Sequence, residues 1–172
     1  ATATADGGGV GGVNVQAMLP TATLSAGSRA YVRDGVDLAS GSLIVRAGTT
    51  ATPIAYQSTA TAIVVGIGAA SGGGINADAS ASGVIEAFVG APDGTGPGGL
   101  AGTSITTGPA TIVSASTMTA TAKADGGNAG GVTVTVMLPT ATVDNTTRSY
   151  AGRGADLTAG SLTLTADSMK AR

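Results

Sequence analysis

Nine Asp and Glu86 are the whole acid–base repertoire of this 172-residue chain, because it has no histidine and no cysteine. That removes Ser-His-Asp and Cys-His catalysis, imidazole and thiolate metal sites, disulfides and redox switching. Asp6-Gly7-Gly8 and Asp125-Gly126-Gly127 combine a hard oxygen ligand with a glycine pair, as calcium loops do. Asp6 and Asp125 are therefore weak calcium candidates. The nonapeptide signature G-G-x-G-x-D is absent, and Asp before Gly is an ordinary choice at a turn, so structural turns are the expectation. Asp37 and Asp156, each followed by Leu, are expected to cap turns through nearby backbone amides. Asp34 and Asp37 are the closest carboxylate pair, the arrangement that cleaves glycosidic bonds. The equivalent of Asp34 in a later copy is Arg153, and aromatic sugar platforms are missing. No catalytic residue, cofactor site or firm metal site emerges, and the reading is that the chain is not an enzyme.

Two further patterns involve hydroxyls and rings. Thr2/Thr4, Thr21/Thr23, Thr133/Thr135, Thr140/Thr142 and Thr163/Thr165 each put two hydroxyls on one strand face. A flat threonine array would present ordered water to ice, so an ice-binding β-solenoid is the alternative function, and a polysaccharide-acting β-helix a lesser one. Threonine is also simply a good strand residue. Arg29 precedes Tyr31, and Arg148 precedes Tyr150, by two residues, which places each pair on one strand face, with the arginine stem expected to cover the ring. Asn145-Thr146-Thr147 is a sequon that would accept a glycan only in a eukaryotic secretory pathway.

The elements that must position these residues follow from composition and repetition. Alanine, glycine and threonine number 33, 29 and 26, over half of the chain, while bulky aromatic residues are limited to Phe88, Tyr31, Tyr56 and Tyr150. Any core must be thin and built from small side chains. Charge is sparse, with 8 basic and 10 acidic residues and no like-charged block, which excludes a nucleic-acid footprint. No apolar run reaches the ~18 residues of a membrane span, so no membrane insertion is expected.

Residues 1–53 align without gaps on 120–172, with 26 identities in 53 positions, including Met18-Leu19-Pro20-Thr21-Ala22-Thr23 against Met137-Leu138-Pro139-Thr140-Ala141-Thr142. A looser copy lies between: Gly73-Gly74-Ile75-Asn76 echoes Gly11-Gly12-Val13-Asn14, Ala87-Phe88-Val89 echoes Ala30-Tyr31-Val32, and Gly108 to Ala115 echoes Gly41 to Ala47. The chain thus divides into units of about 1–50, 51–118 and 119–172 within one continuous segment, 1–172, with a Gly/Pro-rich insertion at 90–104. The last unit stops in mid-pattern, and the natural chain is expected to continue past it.

Short β-branched alternations, such as Val132-Thr133-Val134-Thr135-Val136 and Leu162-Thr163-Leu164-Thr165, predict strands and essentially no helix. A sandwich would need bulky residues to fill the space between its sheets. The expected fold is therefore all-β, a parallel β-solenoid (β-helix) of tandem degenerate repeats, in which small inward residues stack on their equivalents. Coils of roughly 20 to 30 residues would give about six to eight coils and on the order of 30 to 40 Å of rod. Val13, Val15, Leu43, Val45, Val132, Val134, Leu162 and Leu164 are expected to point inward.

The run from Gly11 to Ala47, with Gly-Gly-Val-x-Val, Thr-Ala-Thr, Arg-x-Tyr, Gly-x-Asp-Leu and Gly-Ser-Leu-x-Val-x-Ala, resembles the repeats of very large bacterial β-solenoid surface and secreted proteins. These are the filamentous-haemagglutinin-like and leukotoxin-type filamentous adhesins. The resemblance implies an extracellular, cell-surface location and a non-enzymatic structural rod within a long adhesin or filament. Expected partners are further copies of the same repeat, in the same chain or stacked head to tail, and a host or neighbouring-cell surface.

Overall fold

The computed structural model describes residues 1–92 and 102–171. Most of the 90–104 insertion therefore lies outside the described residues. Strand dominates and no helix occurs among the described residues. The elements are β1 (Thr2–Met18), β2 (Thr21–Val32), β3 (Asp37–Ser40), β4 (Leu43–Ala47), β5 (Ile54–Ile75), β6 (Asp78–Val89), β7 (Thr103–Ala129), β8 (Val132–Met137), β9 (Thr140–Ala151) and β10 (Ala155–Ala171). Every named strand pair is parallel. One sheet runs β1-β5-β7-β10, with β3 and β4 on β7 and β8 on β5; the other is β2-β6-β9.

The register explains the sequence repeat. Thr2 pairs with Thr59 and Thr59 with Thr121; Tyr31 pairs with Phe88 and Phe88 with Tyr150; Leu43 pairs with Ala110 and Ala110 with Leu162. Each column ends 119 residues after it starts, which is the offset of the two half-identical copies. Those copies form the two outer layers, and the looser unit fills the space between them. The chain comes back beside itself after 57 residues from Arg29 to Glu86 and 62 from Glu86 to Arg148. The expected turns of 20 to 30 residues are thus corrected: one whole sequence unit makes one return. Each of these columns is three strands deep, about 10 Å between outer backbones at ordinary strand spacing.

The middle unit's echoes are mixed. Ala87-Phe88-Val89 does lie on Ala30-Tyr31-Val32. Gly73-Gly74-Ile75 instead lies beside Gln16-Ala17-Met18, because Ala70 is the partner of Val13.

The core falls into three clusters, the first two between the sheets and the third within the β1-β5-β7-β10 sheet alone. At its wide end Leu43, Val45, Ile105 and Ile112 pack against Ile85, Ala87 and Val89. In the middle it is made of alanines: Ala60 and Ala120 face Ala22, Ala79 and Ala81. At the thin end only Ala62, Val64 and Ile75 are fully buried, with Met18 and Ala124 against them. The buried residues of the middle cluster are all alanine, so methyl groups fill much of the interior.

At the thin end β1 folds back on itself. Asn14 Nδ2 donates to the Gly9 carbonyl at 2.7 Å, and a Cβ on Gly9 would lie 2.6 Å from Asn14 Oδ1. Gly66, one strand over, makes the same room for Asn128. With Asn14 and Gln16 turned inward, the alternating valines between them turn outward. Val13, Val15, Val132 and Val134 are exposed, contrary to the expected inward set. Leu43 and Val45 are buried as expected, and Leu162 and Leu164 continue their columns in the last layer, where they remain about half exposed.

Turns sit elsewhere than expected. Asp6-Gly7-Gly8 and Asp125-Gly126-Gly127 are strand residues of β1 and β7. The left-handed backbone that favours glycine occurs at Gly35 (φ 76°) and its counterpart Gly154 (φ 72°), and at Gly48 and Gly90.

Candidate functional site

The densest concentration of charged and aromatic groups lies on the outer face of the β2-β6-β9 sheet. In β2 and β6, Ala30, Ala87 and Val89 turn into the wide end of the core. Alternation therefore turns Arg29, Tyr31, Glu86 and Phe88 to the opposite face. Parallel pairing in register then forms two columns, Arg29–Glu86–Arg148 and Tyr31–Phe88–Tyr150.

Glu86 is held from both sides. Arg29 Nε donates to Oε2 at 2.6 Å and Arg148 Nη2 to Oε1 at 2.5 Å. The Tyr150 hydroxyl makes a longer contact, 3.4 Å, with the same Oε1. Although it faces outward, Glu86 is only 1% exposed. Charge-assisted bonds to two guanidiniums make that burial tolerable.

The rings beside it stack face to face, Tyr31 on Phe88 and Phe88 on Tyr150, with centroids 5.1 Å apart in both cases and planes within 7° of parallel. Phe88 is 2% exposed while Tyr31 remains 55% exposed. Arg148 also lies over the Tyr150 ring, 5.8 Å from its centroid. The arginine was expected to cover its own ring, and Arg148 does so over Tyr150; both arginines in addition bond the carboxylate of the middle layer. Glu86 and Phe88 are the residues that sequence reasoning missed, although the alignment of Ala87 on Ala30 places Glu86 opposite Arg29. A shallow groove of about 410 Å³ opens beside this ladder between Arg29, Tyr31, Arg33 and Phe88. Its charge is partly offset by Asp34, 3.8 Å from Arg33 Nε.

The other candidate residues are not brought together. Asp6 and Asp125 share a column but Ile63 lies between them, and among the described residues no group of three or more carboxylates is placed to hold a metal ion. Asp37 and Asp156 flank Ser104 at the starts of β3 and β10. The threonine pairs form broken columns: Thr2–Thr59–Thr121 is continuous, but Lys123 ends the Thr4–Thr61 column and Asp78 separates Thr21 from Thr140. Asn145 of the sequon is 7% exposed and points inward, donating to Ser116 and Ser168 at 2.7 and 3.0 Å.

No family model, curated protein or solved structure matches this chain.

Proposed function

We propose that the chain is a non-enzymatic structural segment of a parallel β-solenoid, part of the rod of a long extracellular adhesin or cell-surface filament. The observation that supports this reading is the register: columns such as Tyr31–Phe88–Tyr150 run straight through all three sequence units, and the outer layers are the two half-identical copies. A stack with that register can be extended by adding layers, without rearranging those already present. Its work is then mechanical, with backbone hydrogen bonds running along the stack and polar faces such as Thr21, Thr23 and Ser25 toward solvent. The partners that fit are further units of the same repeat and a host or neighbouring-cell surface reached by the rod.

Tandem chains carrying one, two and three copies of the 119-residue period test this by small-angle scattering. The cross-section should stay constant while the long dimension grows by about 10 Å per period, two strand spacings. Growth in all dimensions, or a string of separate globules, would overturn the solenoid.

A further inference from the structure

The ladder on the β2-β6-β9 face alternates in charge, Arg29, Glu86, Arg148, and it stops at β2 with a cation. We infer that the open edge of β2 is a docking edge for a layer of the middle type, a parallel strand that brings a glutamate to Arg29 and an aromatic ring to Tyr31. This rests on the solenoid reading above and adds to it the chemistry of the layer that fits.

Three features carry the inference. First, Arg29 bonds Glu86 through Nε while its side chain stays 57% exposed, so the cation at this end of the ladder is accessible. Second, the required interface already exists once in the molecule. Arg148 and Tyr150 are the 119-residue counterparts of Arg29 and Tyr31, and β9 receives β6 through the Glu86–Arg148 bond and the Phe88–Tyr150 stack. A middle-type layer on β2 would repeat that interface at Thr21-Ala22-Thr23, Arg29 and Tyr31, which match Thr140-Ala141-Thr142, Arg148 and Tyr150 of β9. Third, the alternative occupant is mismatched. A second copy arriving by its β9 edge would bring Arg148 to Arg29, juxtaposing guanidiniums where the internal interfaces place a carboxylate between them. The two internal interfaces thus specify an order of layers, and the period of the repeat is two layers.

The test prepends a copy of residues 54–119 to Ala1 of the full chain, which reproduces the native passage from Thr119 to Ala120. Three versions are compared: the copy unchanged, Glu86→Gln in the copy only, and Glu86→Arg in the copy only. The unchanged copy should raise the thermal midpoint above that of the parent chain. Glu86→Gln should forfeit part of the gain, and Glu86→Arg should sit about 5 °C or more below the unchanged copy, with the difference shrinking in high salt. Equal gains for all three versions would overturn the charge-ordered edge while leaving the solenoid standing. No gain from any version would overturn both.

Discussion

Arg29 Nε lies 2.6 Å from Glu86 Oε2, 57 residues away in sequence and one strand away in the sheet. Because Arg148 holds the other oxygen, Glu86 is the shared acceptor of both arginines, and its removal leaves two cations on the strands that flank β6 with no carboxylate between them. The arginines are partly solvated, which lowers the cost below that of a fully buried pair. Glu86→Gln should lose about 1–3 kcal/mol of stability in urea unfolding, and Arg29→Gln less. Equal losses would mean that the two arginines do not share one acceptor.

The aromatic column makes a parallel case. Phe88 is covered on both faces and Tyr31 on one. Phe88→Ala should cost about 3 kcal/mol, near the value for a buried ring, and Tyr31→Ala about 1 kcal/mol. Equilibrium unfolding of the two variants gives the ranking directly, and a reversed order would mean that the face of β2 is covered in solution.

Much of the fold was legible because parallel stacking copies sequence similarity into space. At Ala30-Tyr31-Val32 and Ala87-Phe88-Val89 the alignment of the units gives the register, whereas the echo of Gly11-Gly12-Val13-Asn14 in Gly73-Gly74-Ile75-Asn76 does not. The thin end was misread for a physical reason. Period-two alternation says that Val13 and Val15 share a face but not which face it is, and large apolar residues are normally assigned to the core. Here the space between the facing halves of β1 is taken up by Asn14 and Gln16, whose amides bond Gly9 and Val65 carbonyls across it. Only the glycines opposite them, Gly9 and Gly66, hinted that side chains from the other half needed the room. The return length was hidden too, since a stack of short turns and one of long turns share the same strand alternation.

The corrected orientation changes what substitutions should do. Val134 is 61% exposed on the outer face, whereas Val64, in the same thin end, is fully buried. Val134→Asp should leave the unfolding midpoint nearly unchanged, and Val64→Asp should prevent folding by placing a carboxylate among Ala62, Ile75 and Met18. Circular dichroism of the two purified variants separates them; loss of the β signal in Val134→Asp would restore the inward assignment.

Two glycines with unremarkable backbone angles should differ sharply. A Cβ on Gly12 meets nothing within 4 Å, so Gly12→Ala removes unfolded-chain entropy at no steric cost and should be neutral or stabilising by about 0.5 kcal/mol. A Cβ on Gly83 collides with the Ala26 carbonyl of the adjacent strand and with the Met118 methyl. Backbone cannot move aside there without parting β2 from β6, so Gly83→Ala should cost about 2 kcal/mol or more. Chemical unfolding measures both, and a neutral Gly83→Ala would mean that the two strands are less closely seated than described.

Asn145 joins the sheets from the inside. Its Nδ2 donates to Ser116 Oγ and Ser168 Oγ, and Ser116 in turn shares a hydrogen bond with Thr147 at 2.7 Å. Asn145 and Ser116 are buried while Ser168 is exposed in the outer layer, so Asn145→Ala should cost about 1–2 kcal/mol, chiefly by leaving the buried Ser116 hydroxyl short of a donor. The same placement decides the sequon. A glycan on Asn145 would have to be housed between the sheets, where the amide nitrogen already fills its site, so glycosylation and this fold exclude each other. When the chain is expressed through a eukaryotic secretory pathway, the folded secreted fraction should be unmodified at Asn145, with any glycosylated chain retained or aggregated. Intact-mass analysis of the secreted protein decides it: a folded, soluble species carrying a glycan at Asn145 would show that this side chain faces outward and that the inward face of β9 has been assigned the wrong way round.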